Sequence, residues 1–378
     1  MINISNILST AVPIFIFIFI LGVIVVVHEF GHFIMARRAG IFVEEFAMGM
    51  GPKLIAIRGK KKAQTAIEGQ EDVTLYTLRL LPLGGFCKMR GMEENIPDDP
   101  ESMNNKSLLD RILVIAGGSA MNFILAVVLF FIITLIDGYT VPVATSVQTG
   151  RPAYTAGLQV GDRITHIDGS NVGLWDNFRF MLDTSGGESM DFRVVRDGQV
   201  IDMPITPVLD PDGVFRIGMS PDLRFGILSD MPEGGQRVGI GASLRTSTQM
   251  IGFHMRAPFR MLARFVTRQP LPEGAGVVSV IGIGAQVTEI YQVAVEHSVE
   301  LVVITMIFVA ALMSVAIGTM NLMPIPALDG ARLVFLFLEG IRRKPISQER
   351  EGLVHMVGFV VLIALIVVIA ARDIMNLL

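Results

Sequence analysis

The sequence contains little of what disulfide-linked, cysteine-metal and nucleic-acid-binding proteins are built from. Cys87 is the only cysteine, which excludes a disulfide framework and a cysteine-based zinc cluster. Charged residues make up only 17% of the 378 residues, and the formal net charge is -4. No strongly basic domain is therefore present to attract nucleic acid, and we expect no nucleic acid among the partners.

Hydrophobic residues are abundant instead, at 51% of the chain, which is more than soluble domains usually combine with so little charge. Long apolar runs predict four membrane-spanning helices, each near the roughly 20 residues that cross a bilayer. They cover residues 12–35, 112–136, 299–320 and 353–370. The first Lys or Arg is Arg37, and basic loops after the first and third spans indicate a cytoplasmic location for both. We expect a polytopic α-helical membrane protein with both termini outside.

The first span ends in His28-Glu29-Phe30-Gly31-His32, an H-E-x-x-H motif. Two histidines four residues apart share one face of a helix, so both imidazoles can reach one metal ion. Glu29 lies beside them, where it can act on a water molecule. A single histidine on an apolar helix is usually a core residue, but two histidines and a glutamate inside a span are costly unless paired or metal-bound. The motif predicts a zinc hydrolase site that still lacks a third ligand.

The third span leads into an N-x-x-P-x-P-x-L-D-G sequence that runs from Asn321 to Gly330. Pro324 and Pro326 prevent the helix from continuing and leave backbone groups unpaired. At membrane depth such backbone is tolerated only where protein or a polar cavity satisfies it. Asp329 is therefore the candidate third ligand. The alternative is that Asp329 caps the helix that follows.

Residues 139–225 have the polar, turn-rich composition of a soluble domain. A string of the form G-x-P-A-x-x-A-G-L-x-x-G-D-x-I-x-x-I-D-G starts at Gly150 and resembles a PDZ domain. Strands are predicted around residues 141–147 and 160–169, a helix at 174–182 and a hairpin at 192–201. The Pro- and Gly-rich residues 204–241 are expected to form a linker. His166 is expected to be structural.

The loop between the first two spans contains the basic run Lys60-Lys61-Lys62 and two predicted strands, at residues 73–78 and 84–89. Pro82 and the glycines after it predict a turn between these strands. The expected hairpin dips toward the membrane, and its edge can accept an extended peptide as an added strand. An ordinary surface hairpin is the alternative.

A basic amphipathic helix is predicted at residues 244–268, with an interruption near Pro258. It can lie on the membrane surface or pack against the soluble domain, and both possibilities stay open. His355 is expected at the membrane interface, at the start of the fourth span. The predicted domains are residues 1–138, 139–225, 226–298 and 299–378, of which the third combines a linker with the amphipathic helix.

Four features in combination resemble the site-2 protease family of intramembrane zinc metalloproteases, and most closely its bacterial regulator of sigma-E protease group. They are the H-E-x-x-H motif, the small-residue segment from Gly117 to Asn122, the inserted PDZ-like domain and the N-x-x-P-x-P-x-L-D-G motif. The resemblance implies one Zn2+ per chain, held by His28, His32 and Asp329, with Glu29 as the catalytic residue. The residues it implies for substrate binding are Asn321, Pro324, Pro326, Asn122, Gly84, Gly85 and Phe86.

The resemblance also implies a partner, a single-pass membrane protein that is cut within the bilayer, such as an anti-sigma factor or a remnant signal peptide. It implies the inner (cytoplasmic) membrane of a bacterium, with the PDZ domain in the periplasm. His28 lies nine residues before Arg37, or about 14 Å along a helix, which puts the site in the cytoplasmic half of the bilayer. The best-known enterobacterial relatives carry two PDZ domains in tandem, whereas this sequence indicates one.

Two other functions remain possible on the sequence. A non-catalytic membrane scaffold would use the PDZ domain to bind exposed C-termini and would need no stoichiometric zinc. A metal transporter would use the intramembrane histidines and Asp329 as a transit site. The transporter has less support, because four spans without an evident inverted repeat are unlike a secondary transporter.

Overall fold

The computed structural model describes residues 4–59, 73–92, 96, 98–227, 236–266, 279–344 and 346–377. The chain divides into two compact units. The membrane unit, as we call it, consists of residues 1–129 and 277–378, and the sheet unit of residues 130–276. The predicted basic run Lys60-Lys61-Lys62 lies outside the described residues.

The helices follow one another along the chain as α1 (Ile4–Arg38), α2 (Leu108–Ile136), α3 (Pro152–Thr155), α4 (Trp175–Asp183), α5 (Ile240–Val266), α6 (Val280–His297), α7 (Val299–Leu322), α8 (Asp329–Arg342) and α9 (Gln348–Leu377). The strands are β1 (Val43–Arg58), β2 (Leu75–Met89), β3 (Gly138–Val147), β4 (Arg163–Ile167), β5 (Ser170–Asn171), β6 (Met190–Arg196), β7 (Gln199–Ile205), β8 (Val208–Leu209), β9 (Phe215–Arg216), β10 (Met219–Phe225) and β11 (Gln236–Arg237).

Four of the described helices are long and apolar enough to cross a membrane. They contain the stretches Ala11–Arg38, Leu108–Ile136, Val299–Leu322 and Glu349–Met375, and they confirm the four predicted spans. Most of the helices extend a few residues beyond the predicted limits. Charged residues next to the apolar run are part of the helix, such as Asp110 before the run of α2 and Arg37 after the run of α1. Four such helices make the chain a polytopic membrane protein.

Glycines bring α1 and α2 into backbone contact. A Cβ atom on Gly31 would lie 2.1 Å from the carbonyl oxygen of Gly117, and one on Gly117 would lie 2.9 Å from the carbonyl oxygen of Gly31. No larger residue fits at either position without separating the helices. The small-residue segment in the second span therefore sets the distance between the first two spans.

The predicted hairpin between residues 73–78 and 84–89 is wrong in its pairing. Both segments belong to β2, and both pair with β1, a strand that the sequence pattern did not reveal. Phe46 pairs with Cys87 on one side and with Tyr76 on the other, so the first part of β1 lies between the two halves of β2. The pattern hid β1 because positive-φ glycines at positions 49 and 51 and several β-bulges break its alternation of side chains.

One end of this sheet runs alongside the middle of α1. A Cβ atom on Gly22 would lie 3.1 Å from the carbonyl oxygen of Pro82. Large apolar side chains near this end are exposed, including Leu54 at 59%, Leu80 at 54% and Leu81 at 51%. Exposed apolar side chains beside a helix that can cross a membrane form a surface that lipid or another apolar partner can cover.

Helix α6 is a second element that the sequence analysis missed, because residues 226–298 were expected to hold only a linker and the amphipathic helix. Val287 of α6 joins a core cluster with Phe17 and Ile24 of α1 and Met306 of α7. Two glycines in the first turns of α6 dilute its apolar pattern, which explains the omission. The backbone N–H of Ser279, the residue before α6, donates to Asp373 Oδ2 of α9 over 2.6 Å.

The sheet unit contains a mixed sheet in the order β11-β10-β3-β4-β6-β7, with β5 paired to β4. Strands β3, β4, β6 and β7 and helix α4 lie where the sequence predicts them. Phe178 and Phe192 are fully buried in its core. Asp197 and Gly198 have positive φ in the turn between β6 and β7, as expected for a tight hairpin.

The predicted linker at residues 204–241 is wrong for most of its described part. Strand β10 pairs antiparallel with β3 and extends the sheet. Pro204 pairs with Asp191 within β7, which is tolerated because β7 is an edge strand and needs fewer N–H donors. Gly213 and Gly218 have positive φ in turns between the strands. Prolines and glycines here mark edges and turns rather than a linker.

Helix α5 continues through Pro258, so the predicted interruption is wrong. A proline removes one hydrogen bond from a helix, and the 27-residue helix retains its other turns. The ring of Phe253 lies 5.6 Å from the ring of Phe180 in α4. This contact favours packing against the soluble domain over a position on the membrane surface. Residues 267 and 268 at the end of the predicted helix lie outside the described residues.

A buried ion pair ties together the first part of the sheet unit. The Arg196 guanidinium donates to both carboxylate oxygens of Asp162, over 2.7 and 2.6 Å, and the Gln159 backbone N–H donates over 2.8 Å. The Asp162 side chain is completely buried. Burial raises the pKa of Asp162, but the hydrogen bonds outweigh burial and hold the pKa below its ordinary value.

We predict that Asp162→Asn destabilises the sheet unit by about 1.5–3 kcal/mol, because the buried side chain loses its charge and with it the strength of its hydrogen bonds from Arg196 and Gln159. In the wild type a lowered carboxyl pKa gives stability that is present above about pH 4 and is lost as the pH falls further. Hydrogen–deuterium exchange over residues 139–225 of the full chain measures both effects. Asp202→Asn is the matched control, because its ion pair with Arg193 is exposed. Equal protection in the two variants at pH 7 would contradict the prediction.

Candidate metal centre

Three side chains from distant parts of the sequence converge in the membrane unit. Asp329 Oδ2 lies 3.1 Å from His28 Nε2 and 3.2 Å from His32 Nε2, and the two Nε2 atoms are 3.2 Å apart. Both histidines are 6% exposed, and the Asp329 side chain is 18% exposed. One turn of α1 supplies both imidazoles, while the first residue of α8 supplies the carboxylate. These are the three ligands that the sequence predicts, placed so that one ion can contact all of them.

The hydrogen bonds around His32 suit a metal ligand. Its Nδ1 lies 2.8 Å from the carbonyl oxygen of Val114, which can only accept, so Nδ1 carries the proton. The lone pair of the neutral ring is then on Nε2, the atom that points at His28 and Asp329. Two imidazole nitrogens and one carboxylate oxygen are a donor set that zinc binds in catalytic sites.

Asn122 lies behind the other histidine. Its side-chain nitrogen is 3.3 Å from His28 Nδ1, and the residue is completely buried. Its Oδ1 finds no hydrogen-bond partner among the described residues. Turning the terminal amide by half a rotation lets Oδ1 accept from a protonated Nδ1, which leaves the lone pair on Nε2. In that orientation Asn122 Oδ1 gains a hydrogen bond from the His28 tautomer that metal binding requires.

Glycines give the two imidazoles and Asp329 the room they need. A Cβ atom on Gly118 of α2 would lie 2.5 Å from His32 Nε2 and 2.7 Å from His28 Nε2. A Cβ atom on Gly330 would lie 2.0 Å from the carbonyl oxygen of Met323. Without these two glycines the donor atoms cannot occupy their observed positions.

The backbone between α7 and α8 presents Asp329 to the histidines. Helix α7 ends at Leu322, and α8 begins at Asp329 with Leu328 as its N-cap residue. The alternative role of Asp329 as a side-chain helix cap is therefore wrong, because its carboxylate contacts the histidines instead. Ala327 has a φ of 76°, a left-handed conformation that costs a non-glycine residue about 1–2 kcal/mol. Its N–H donates to His355 Nδ1 over 3.0 Å, so His355, which is expected at the membrane interface, also contacts the segment that carries Asp329.

A cavity of about 660 Å³ opens on the three converging side chains. Glu29 lines it beside the histidines, together with Asn321 from the end of α7 and Arg332 from the first turn of α8. The last part of β2 forms another wall, through Phe86, Cys87, Lys88 and Met89. The cavity is large enough to hold several residues of a peptide next to Glu29.

The last part of β2 passes directly over Glu29. The backbone of Cys87 hydrogen-bonds the Glu29 carboxylate, and a Cβ atom on Gly85 would lie 3.4 Å from Glu29 Cγ. The N–H of Arg90 donates in the other direction, to Phe42 O. Because alternate N–H groups of a strand point to opposite sides, those of residues 85, 87 and 89 face the cavity. Burial, with Glu29 nearby, raises the pKa of the Cys87 thiol to about 12, so this cysteine is neutral and not a nucleophile.

The remaining residues implied in substrate binding lie at different distances from the cavity. Phe86 and Asn321 line it, and Gly84 and Gly85 precede Phe86 in the same strand. Pro324 is exposed. Pro326 packs against α9, where a Cβ atom on Gly358 would lie 2.0 Å from Pro326 Cβ.

Three residues of the site carried no clear sequence signal of their role. The side chain of Asn122 contacts the imidazole ring of His28, and Asn122 is not among the residues that line the cavity. Gly118 is one glycine among several in α2, and only its neighbours in space show why it is small. His355 lies at the start of an apolar run, where a polar side chain needs a partner. That need was the sequence signal that could have pointed to a contact of His355 with another segment.

Comparison with known proteins agrees with this geometry. The sequence matches Peptidase family M50 over residues 16–365. A protein of Clostridium acetobutylicum is 32% identical over 93% of this chain and 94% of its own length. The zinc metalloprotease RasP of Oceanobacillus iheyensis is 28% identical, over 96% of this chain and 98% of its own. The regulator of sigma-W protease RasP of Bacillus subtilis is also 28% identical, with the same two shares.

The family match covers the second and third spans, most of the first and fourth, and both motifs that form the candidate metal centre. It confirms the resemblance that the H-E-x-x-H and N-x-x-P-x-P-x-L-D-G sequences carry. The chain belongs to Peptidase family M50.

Proposed function

We propose that the chain is an intramembrane zinc metalloprotease that hydrolyses a peptide bond within the membrane-spanning segment of another protein. The observation that carries the proposal is the convergence of His28, His32 and Asp329 beside Glu29. These residues lie on or next to helices long enough to span a bilayer. Membership of a peptidase family favours this function over a PDZ scaffold or a metal transporter.

Each residue of the site has a role in the hydrolysis. His28, His32 and Asp329 would hold a zinc ion, which would supply a Lewis acid that makes water a better nucleophile and the scissile carbonyl a better electrophile. Glu29 accepts a proton from the attacking water and donates it to the leaving amine. The water oxygen bonds to the carbonyl carbon as the C–N bond breaks, and the products are a carboxylate and an amine. The contacts of Val114 and Asn122 orient the imidazoles throughout.

The substrate segment must unwind before it can be cut, because helical amides are hydrogen-bonded and shielded. We propose that it extends along the last part of β2, with Gly84, Gly85 and Phe86 at the start of the contact. The backbone of Cys87 hydrogen-bonds Glu29. The N–H groups of residues 85 and 89 face the same side of the strand, and they support the addition of a substrate strand. Asn321 is placed to hydrogen-bond a substrate backbone group.

Pro324, Pro326 and Asn122 act on the substrate less directly in this proposal. The two prolines keep the backbone before Asp329 non-helical, and Asn122 orients His28. All three therefore shape the cavity that receives the substrate.

We further propose that the substrate is a single-pass membrane protein. The name of the Bacillus subtilis relative states that it is a regulator of sigma-W protease, which supports an anti-sigma factor as one substrate. A remnant signal peptide is the other. The chain would lie in the cytoplasmic membrane of a bacterium, with residues 139–225 outside as a PDZ domain that limits substrate access. Both basic loops would then face the cytoplasm.

Glu29→Gln is predicted to lower the rate of substrate cleavage by about 10²–10⁴-fold while zinc stays bound, because the amide cannot accept the proton from water. The assay follows cleavage of a single-pass membrane protein in proteoliposomes, with fragments identified by mass spectrometry. Glu296→Gln is the matched control, since Glu296 is exposed on α6. Equal cleavage by the wild type and Glu29→Gln would refute the proposed mechanism.

Asp329→Ala is predicted to reduce the zinc content of purified protein from one ion per chain to a small fraction, because only two ligands remain. Inductively coupled plasma mass spectrometry measures the zinc, and Asp202→Ala, at an exposed ion pair, is the control. If Asp329→Ala kept its full zinc content, the third ligand would have been assigned incorrectly.

Gly118→Ala is predicted to lower zinc content nearly as much as loss of a ligand, although it removes no ligand. The new methyl group would meet His32 Nε2 at 2.5 Å, and both imidazoles must turn away. Gly352→Ala in α9 is the matched control, because a Cβ atom there meets nothing within 4 Å. Zinc binding by Gly118→Ala that equals the control would show that α2 can move away from the histidines at little cost.

A further inference from the structure

We infer that His355 is a positioning residue for the metal centre, acting through the backbone of Ala327 on the placement of Asp329. The inference rests on the proposed role of Asp329 as a zinc ligand. It assigns a function to a histidine of the fourth span that neither binds the metal nor lines its cavity. The polar contact between α9 and the segment before Asp329 carries the argument.

The backbone of Ala327 is held in a conformation that an alanine rarely adopts. Its φ is 76°, and a left-handed alanine persists only where its surroundings stabilise it. The N–H of Ala327 donates to His355 Nδ1 over 3.0 Å. This bond gives the strained residue a fixed partner outside its own segment.

A shift at Ala327 reaches Asp329 directly, because only Leu328 separates them. The neighbouring backbone is tightly bonded, with Leu328 N–H to Ile325 O at 3.1 Å and Ala331 N–H to Leu328 O at 3.2 Å. A rotation about the Ala327 backbone would therefore turn the first residue of α8 as a unit. Asp329 Oδ2 must stay near both imidazoles, so its position tolerates little rotation.

Helix α9 contacts this segment twice from one face. His355 holds Ala327, and three residues later Gly358 receives the ring of Pro326. Residues three apart lie on the same side of a helix. Most side chains of α9 around these positions are exposed, so the two contacts are specific features of an otherwise lipid-facing helix.

The surroundings of His355 fix its tautomer and orientation. Because Nδ1 accepts the Ala327 N–H, the proton of the neutral ring is on Nε2. Nε2 is buried without a hydrogen-bond partner among the described residues and lies 3.9 Å from Glu351 Oε1. The ring of Phe335 in α8 packs 6.0 Å away. The imidazole is thus held between α8 and α9 with its acceptor aimed at Ala327.

The test compares zinc affinity in three variants of the full chain, by competition with a fluorescent zinc chelator in detergent. His355→Leu removes the acceptor and should weaken zinc binding about tenfold, as loss of an outer contact does in other metal sites. His355→Asn places an amide oxygen near the position of Nδ1 and should restore most of the affinity. Adding Ala327→Gly to His355→Leu should also restore it, because glycine adopts a φ of 76° without support.

Restored zinc affinity in both His355→Asn and the double variant His355→Leu, Ala327→Gly supports positioning through Ala327. His297→Leu is the control for removing a histidine, since His297 is exposed and, within the part of the chain that the structure describes, hydrogen-bonds its own helix at Val293 O. Zinc affinity in His355→Leu equal to wild type would overturn the inference, and so would failure of either rescue, because His355 would then act by packing alone. If wild type and Asp329→Ala bind zinc equally, the ligand assignment itself fails, and the inference fails with it.

Discussion

Burying two imidazoles and two carboxylates among apolar helices is the constraint on which the rest of the membrane unit depends. Each group loses its hydration inside the protein, and a carboxylate left without a partner would cost several kcal/mol. Convergence on one cation, as proposed for His28, His32 and Asp329, would remove that cost. Glu29 stands beside them with a backbone donor from Cys87. The chemistry of a zinc peptidase and the stability of its helices therefore depend on the same few atoms.

The glycines follow from this constraint. Donor atoms within about 3 Å of one another require the backbones that carry them to approach closely, and only residues without a Cβ atom allow that. Gly31 and Gly117 bring α1 onto α2, Gly118 leaves space for the imidazoles, and Gly330 lets α8 start where Asp329 is needed. A family resemblance in small residues thus has the same physical origin as the resemblance in ligands.

The candidate ligands and the spans could be predicted from the sequence because both depend on local rules. A span requires an uncharged run long enough to cross a bilayer. Ionisable side chains at membrane depth need a partner, and this need identified His28, His32 and Asp329 as candidates. Prediction from the sequence failed where structure depends on contacts between distant residues. β1 was hidden by Gly49, Gly51 and bulges, and α6 by its dilute apolar pattern. The roles of Asn122 and His355 emerge only when their neighbours in space are known.

The last part of β2 combines two tasks that are usually separate in a hydrolase. The backbone of Cys87 hydrogen-bonds Glu29, and in the proposed mode of binding the N–H groups of Gly85 and Met89 would pair with an incoming strand. A substrate that pairs with this edge is therefore placed in register with Glu29, because both are bonded to the same backbone. Register along a strand sets which peptide bond faces the base. The edge then selects the position of cleavage by geometry, so a helix that cannot unwind into this register presents no bond to Glu29.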